Sequence, residues 1–182
     1  AIKEHKTVAI LPAYVTTKLR PNERKRMTAD QLDMLNEETG FAIQQQMQAW
    51  LLRRSDKYKY TVTFQDIAKT NELLNAAGIY YKDLATIDRA KLARLLNVDA
   101  VMQNKSYMDK PMSDGAAIAV AAVFGVWGST NQVKTIIDIH SDSGSLLWQY
   151  EYFASGSIGT SPTRLVDALM RNASKKFPYS LR

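Results

Sequence analysis

The sequence holds two histidines, His5 and His140. His140 has two acidic residues at strand spacing: Asp138 and Asp142 flank it two positions away in "DIHSD". In an extended strand, side chains at i and i±2 point to the same face, so the three would sit together. A histidine with two carboxylates could hold a metal or position a general base. The set underfills most transition-metal sites, and a solvated strand face running into a turn explains the same residues. We expect that plainer arrangement, with no metal.

Two further stretches suggest anion chemistry. "SGSIGTSP" (155–162) places two glycines and several hydroxyls ahead of a helix start, the make-up of an anion cradle. It matches neither the Walker pattern nor the dinucleotide fingerprint, and a flexible loop with a good N-cap accounts for it. "KLRPNERKR" (18–26) could meet phosphates or lipid head groups. It has no interleaved aromatics for base stacking and reads more simply as a solvated loop. Asp66, Asp99 and Asp109 each stand near a strand end or loop, and no spacing pairs them. Cysteine is absent, which removes disulfides, thiolate nucleophiles and zinc-thiolate sites. No Ser-His-Asp arrangement or phosphate-binding loop stands out. The expectation is a protein with no catalytic residues and no cofactor.

The elements that would carry these residues can be read in order. The chain has 182 residues, enough for one domain with a real core. Its net charge of +6 favours anionic partners only slightly. "KTVAILPAYV" (6–15) predicts a buried strand limited by Pro12, which cannot donate to a ladder. Thr28 and Gln31 form a capping box, and a long helix is expected over about 29–54. Leu35, Thr39, Ile43, Met47 and Trp50 fall on its apolar stripe, with Gln44, Gln45 and Gln48 mostly off it. Residues 58–67 alternate as a strand. A short helix ends at Gly78 as its C-cap glycine. A helix over about 87–96 turns through Asn97 into a strand from Val98 to about Met108. A hairpin follows, with arms near 133–141 and 146–154 around "SDSGS". Ser161 as N-cap and Pro162 at N1 open a closing helix.

This order predicts an α/β fold over residues 1–182. A mixed sheet of about five strands, three of parallel βα type and then an antiparallel hairpin, is packed with helices. Residues 112–130 form an apolar insertion between strands.

Several segments, taken together and in order, resemble the curli-secretion (CsgG-like) lipoprotein superfamily, whose relatives include penicillin-binding-protein activator lipoproteins. "KTVAILPA" is similar to its opening strand. "LARLLNVDAVMQNKSY" is similar to its helix, Asp-Ala pair and following strand. "IIDIHSDSGSLLWQYEY" resembles its hairpin, and the closing helix with "KKFPY" fits the small-lipoprotein branch. The resemblance implies a mixed α/β domain without catalytic residues, lipid-anchored at the outer membrane and facing the periplasm. The chain opens on Ala1 rather than Met, which we read as a leader removed upstream; a trimmed tag would leave the same start.

Ala116–Trp127 carries no charged side chain and is bracketed by Gly115 and Gly128. It is too short to span a membrane, which takes about 20 apolar residues. We expect a short helix that a second subunit or the membrane surface covers, with Val123, Phe124, Val126 and Trp127 as its main contacts. The functional expectation is therefore a non-catalytic envelope lipoprotein acting as a protein-binding or assembly module in secretion or envelope biogenesis. Its partners would be envelope proteins or further copies of itself, and the membrane surface through its anchor. A ring-forming secretion-channel subunit is one alternative. A nucleotide- or nucleic-acid-binding α/β protein is another, disfavoured by the missing stacking residues.

Overall fold

A computed structural model describes residues 2–109 and 132–181. Its centre is a six-stranded mixed sheet of β1 (Thr7–Ile10), β2 (Tyr14–Thr17), β3 (Thr63–Phe64), β4 (Ala100–Met108), β5 (Gln132–Ser141) and β6 (Leu146–Ser155), in the order β3-β1-β4-β5-β6 with β2 also paired to β4. The run Val8–Leu11 is buried throughout, because β1 (Thr7–Ile10) is an inner strand with helices on both faces. Val8 and Ile10 point into one core, Ala9 and Leu11 into the other, which is the two-residue period of a strand.

Pro12 splits the expected first strand. β1 pairs in parallel with β4 (Ala100–Met108) from Val8↔Ala100 to Ile10↔Met102. Pairing resumes at Tyr14↔Lys105, where β2 (Tyr14–Thr17) continues along the same side of β4. Leu11, Pro12 and Ala13 thus stand opposite Gln103 and Asn104, a bulge of one residue at the imino acid. This is why six strands form where about five were expected. The segment 58–67 is also less regular than its alternation suggests. Tyr58 closes a short helix, α3 (Ser55–Tyr58), and only Thr63–Phe64 pairs as β3, parallel to β1.

The first face of the sheet is covered by the long helix α2 (Ala29–Arg53) and the closing helix α6 (Pro162–Ala173). In the chain, the four-residue α1 (Pro21–Arg24) precedes α2, and α4 (Ile67–Ala76) and α5 (Arg89–Leu96) come between α2 and α6. Ile43, Met47 and Trp50 of α2 meet Leu165 and Leu169 of α6 over the sheet. Both helices begin as expected: Thr28 Oγ1 accepts from the Gln31 amide, Gln31 Oε1 accepts from the Thr28 amide, and Ser161 Oγ caps α6 ahead of Pro162. On the second face, Leu74 of α4 and Leu92 and Leu96 of α5 pack on Ala9, Leu11 and Val101. α5 stops at Asn97, whose left-handed φ of 53° turns the chain into β4. The hairpin of β5 (Gln132–Ser141) and β6 (Leu146–Ser155) extends the sheet antiparallel, turning at Gly144 with φ of 85°.

Candidate functional site

The bulge at Pro12 is where the structure concentrates unusual bonding. Parallel strands leave their carboxyl ends open, and crevices form where the strand order reverses. Here β1 lies between β3 and β4, and the chain leaving its carboxyl end is fastened instead. The Leu11 amide donates to the Met102 carbonyl at 2.8 Å, and the Ala13 amide donates to the Gly40 carbonyl of α2 at 3.0 Å. Gln44 Nε2 donates to the Ile10 carbonyl at 2.7 Å, and its amide group exchanges two hydrogen bonds of 2.9 Å with Asn71 of α4. Gln44 is fully buried, not off the apolar stripe as its position suggested. A buried amide is retained because its donor and acceptor are matched.

Tyr81 completes the clamp. Its hydroxyl accepts from the Val15 amide at 2.7 Å and lies 2.9 Å from the Ala13 carbonyl and 3.1 Å from the Asn36 carbonyl, both acceptors for its proton. Burial pushes the Tyr81 phenol up from its ordinary pKa, so it stays protonated and keeps donating. Its ring stacks on Tyr14 (5.6 Å between centroids, 20° between planes) and leans on Phe41.

Two adjoining hollows open beside this clamp, of about 330 Å3 and about 190 Å3. They share Glu37, Tyr80 and Tyr81. Asp33 and Glu37, one helical turn apart on α2, line the larger one with Tyr14 and Lys82; Phe41 and Leu74 line the smaller. Tyr80 is 60% exposed. Among the described residues, neither Asp33 nor Glu37 has an ion pair or hydrogen-bond partner for its carboxylate. None of these residues was singled out from sequence. An adjacent tyrosine pair after a glycine-ended helix is the only signal that could have drawn attention to them.

The sequence-derived candidates fall elsewhere. Asp138 is buried, not solvated: Lys105 Nζ lies 2.6 Å from one carboxylate oxygen, and Gln149 Nε2 donates to the other at 2.7 Å. His140 shares its sheet face and is half-buried. Asp142 stands exposed in the turn, where its amide donates to the Asp99 carbonyl. No group of three His, Cys, Asp or Glu suited to a metal exists among the described residues. Burial lowers the His140 pKa below the ordinary imidazole value; Asp138 opposes this, and Arg89 and Lys105 reinforce it.

The three separate aspartates each hold a chain connection. Asp66 caps α4, Asp99 Oδ2 accepts from the Lys6 and Thr7 amides at 2.8 Å, and Asp109 Oδ1 accepts from the Gln132 amide. The two amide bonds from Thr7 and Lys6 hold the Asp99 carboxyl below the usual carboxylate range. His5 is tied to the far end of the chain, with Nδ1 2.8 Å from the Tyr179 hydroxyl. In "SGSIGTSP", residues Gly156–Thr160 form a tight 3-10 turn and the Ser161 hydroxyl is engaged by its own helix. The side chains of Lys18, Arg20, Arg24, Lys25 and Arg26 are exposed, though Pro21–Arg24 of this run forms α1 and not a loop. Val123, Phe124, Val126 and Trp127 lie outside the described residues.

One surface feature remains. β6 pairs with β5 on one side only, and no backbone bond runs along its other side among the described residues. It is ten residues long with one charge, Glu151, and no proline or glycine. Leu146 and Phe153 are exposed at either end.

No family model and no curated protein matches the sequence. Solved structures similar to this chain include lipoprotein GNA1162 from Neisseria meningitidis, 14% identical, covering 96% of this chain and 99% of that one, with a TM-score of 0.49. The LpoB C-terminal domain from Salmonella enterica is 8% identical, covering 82% of each chain, with a TM-score of 0.38. A PelC dodecamer from Paraburkholderia phytofirmans is 11% identical, covering 98% of this chain and 90% of that chain, with a TM-score of 0.43. No residue role is carried over from any of them.

Proposed function

We propose that this protein is a non-catalytic module of the bacterial cell envelope that binds another protein by adding a strand to β6. The edge of β6 that no strand pairs with among the described residues carries this reading. Native sheets blunt such edges with charges, prolines, bulges or short strands. β6 has ten residues and a single charge, and its one irregularity in pairing, at Ile139/His140, lies near its start. Main-chain bonds from an added strand would supply affinity, and alternate side chains would supply selectivity. Placement in the envelope, at the outer membrane and facing the periplasm, is supported by the ordered resemblance of the first strand, the helix–Asp-Ala–strand segment and the hairpin. A ring-forming subunit is the version of this reading in which the added strand belongs to a second copy.

Photo-crosslinking in cells tests it. A photoreactive residue at position 149 or 153 of β6 should trap a membrane-fraction protein or a second copy. The same residue at 69, on exposed α4, should trap neither. Equal yields at both places would remove the β6 reading, and recovery of the protein wholly in the cytosolic fraction would remove the envelope. Phe153→Glu, which adds an edge-protecting charge opposite Lys134, should abolish the product without lowering the thermal midpoint.

A further inference from the structure

We infer that the cleft between α2 and the Tyr80–Tyr81 turn is a binding site for a cationic side chain, lysine or arginine, presented by an extended peptide. The inference concerns a different surface from β6 and holds wherever the protein resides.

The walls are aromatic and set in advance. The Tyr81 ring is fixed by the bonds of its hydroxyl to Val15, Ala13 and Asn36. Tyr14 stacks against it, while Tyr80 stays largely in solvent beside the hollow. A ring held this way loses little freedom when a guest settles on it, and the face of a tyrosine attracts a cation.

The rim is acidic within a chain of net charge +6. Asp33 and Glu37 stand four apart on one helix face, an arrangement of like charges that destabilises a helix slightly. A pair of this kind is ordinarily offset by a nearby cation. Lys82 lines the same hollow yet makes no ion pair with either. The Glu37 charge reaches the Tyr81 hydroxyl, where it adds to the upward push on the phenol. Acidic and aromatic residues therefore line one space, the combination that receives a guest ammonium or guanidinium.

The size sets the class of ligand. Hollows of about 330 and 190 Å3 joined through Glu37, Tyr80 and Tyr81 lie at the small end of ligand sites. They suit one long side chain in the larger space and a smaller apolar neighbour against Phe41 and Leu74 in the other.

The test is fluorescence anisotropy at low ionic strength with a fluorescein-labelled Gly-Arg-Gly-Arg-Gly peptide and its Glu-substituted counterpart. A protein of net positive charge repels a cationic peptide as a whole, so binding must come from a local site. The arginine peptide should bind, the glutamate peptide should not, and added salt should weaken binding. The Asp33→Asn/Glu37→Gln double variant should lose about tenfold or more in affinity, and Tyr80→Ala a few-fold. Glu72→Gln on exposed α4 should change nothing. Because Asp33 and Glu37 are exposed and unpaired, their replacement should leave the thermal midpoint intact, and β6 crosslinking should persist in the double variant. Absence of binding, equal binding of the two peptides, or wild-type affinity in the double variant would each overturn the inference.

Discussion

Gly40 and Ala13 meet through bare backbone: the Ala13 amide donates to the Gly40 carbonyl at 3.0 Å, and a β-carbon on Gly40 would run into the Ala13 carbonyl oxygen. The same β-carbon would lie 2.7 Å from the Tyr81 ring. A glycine in mid-helix ordinarily costs about 1 kcal/mol against alanine, so Gly40→Ala tests which effect wins. Overpacking against a backbone oxygen and a thrice-bonded tyrosine should dominate, leaving Gly40→Ala less stable by about 1–3 kcal/mol. Urea unfolding measures it, and a variant more stable than wild type would show that α2 is not held against the bulge at Pro12.

Trp50 is 1% exposed, packed in the α2–α6 core and stacked on Tyr58 at 5.7 Å. Trp50→Ala removes that volume from between two helices and the sheet. The expected loss is about 3–5 kcal/mol, read from the shift in denaturant midpoint. Trp50→Phe keeps a ring against Tyr58 and should recover a substantial part of it.

His140 gives a pH dependence with a definite sign. Its folded-state pKa lies below the unfolded value of about 6.5, chiefly through burial. The unfolded chain therefore binds the proton first as pH falls, and stability present above about pH 6.5 declines as pH drops towards the folded value. His140→Gln, which cannot titrate, should lessen the fall of the thermal midpoint below about pH 6.5 relative to wild type. Parallel curves for the two proteins would contradict the placement of the ring. His140→Gln should also leave β6 crosslinking unchanged.

How much was legible in the sequence follows the range of the forces involved. Local signals were sufficient for the helix starts at Thr28 and Ser161, the turn at Asn97, the hairpin turn and the continuous burial of the first strand. Each rests on a hydrogen bond or backbone angle within a few residues. The parallel pairing of β1 with β3 and β4 followed from the order of strands and helices. Pro12 marked an interruption, because a missing N–H is visible in the residue itself.

Only the tertiary structure decided what lies on either side of that interruption. Gln44 appeared as one of several polar residues beside an apolar stripe, yet it is the one whose amide meets the free Ile10 carbonyl and Asn71. Asp138 was read as solvated because nothing in "DIHSD" announces Lys105 on the neighbouring strand, 33 positions earlier. The cleft depends on Tyr81 reaching back to Ala13 and Val15 across more than sixty residues. Its two carboxylates gain meaning only beside rings that the sequence places far away. Periodicity encodes which face of an element is buried; which polar groups meet across elements depends on the packing of the whole chain.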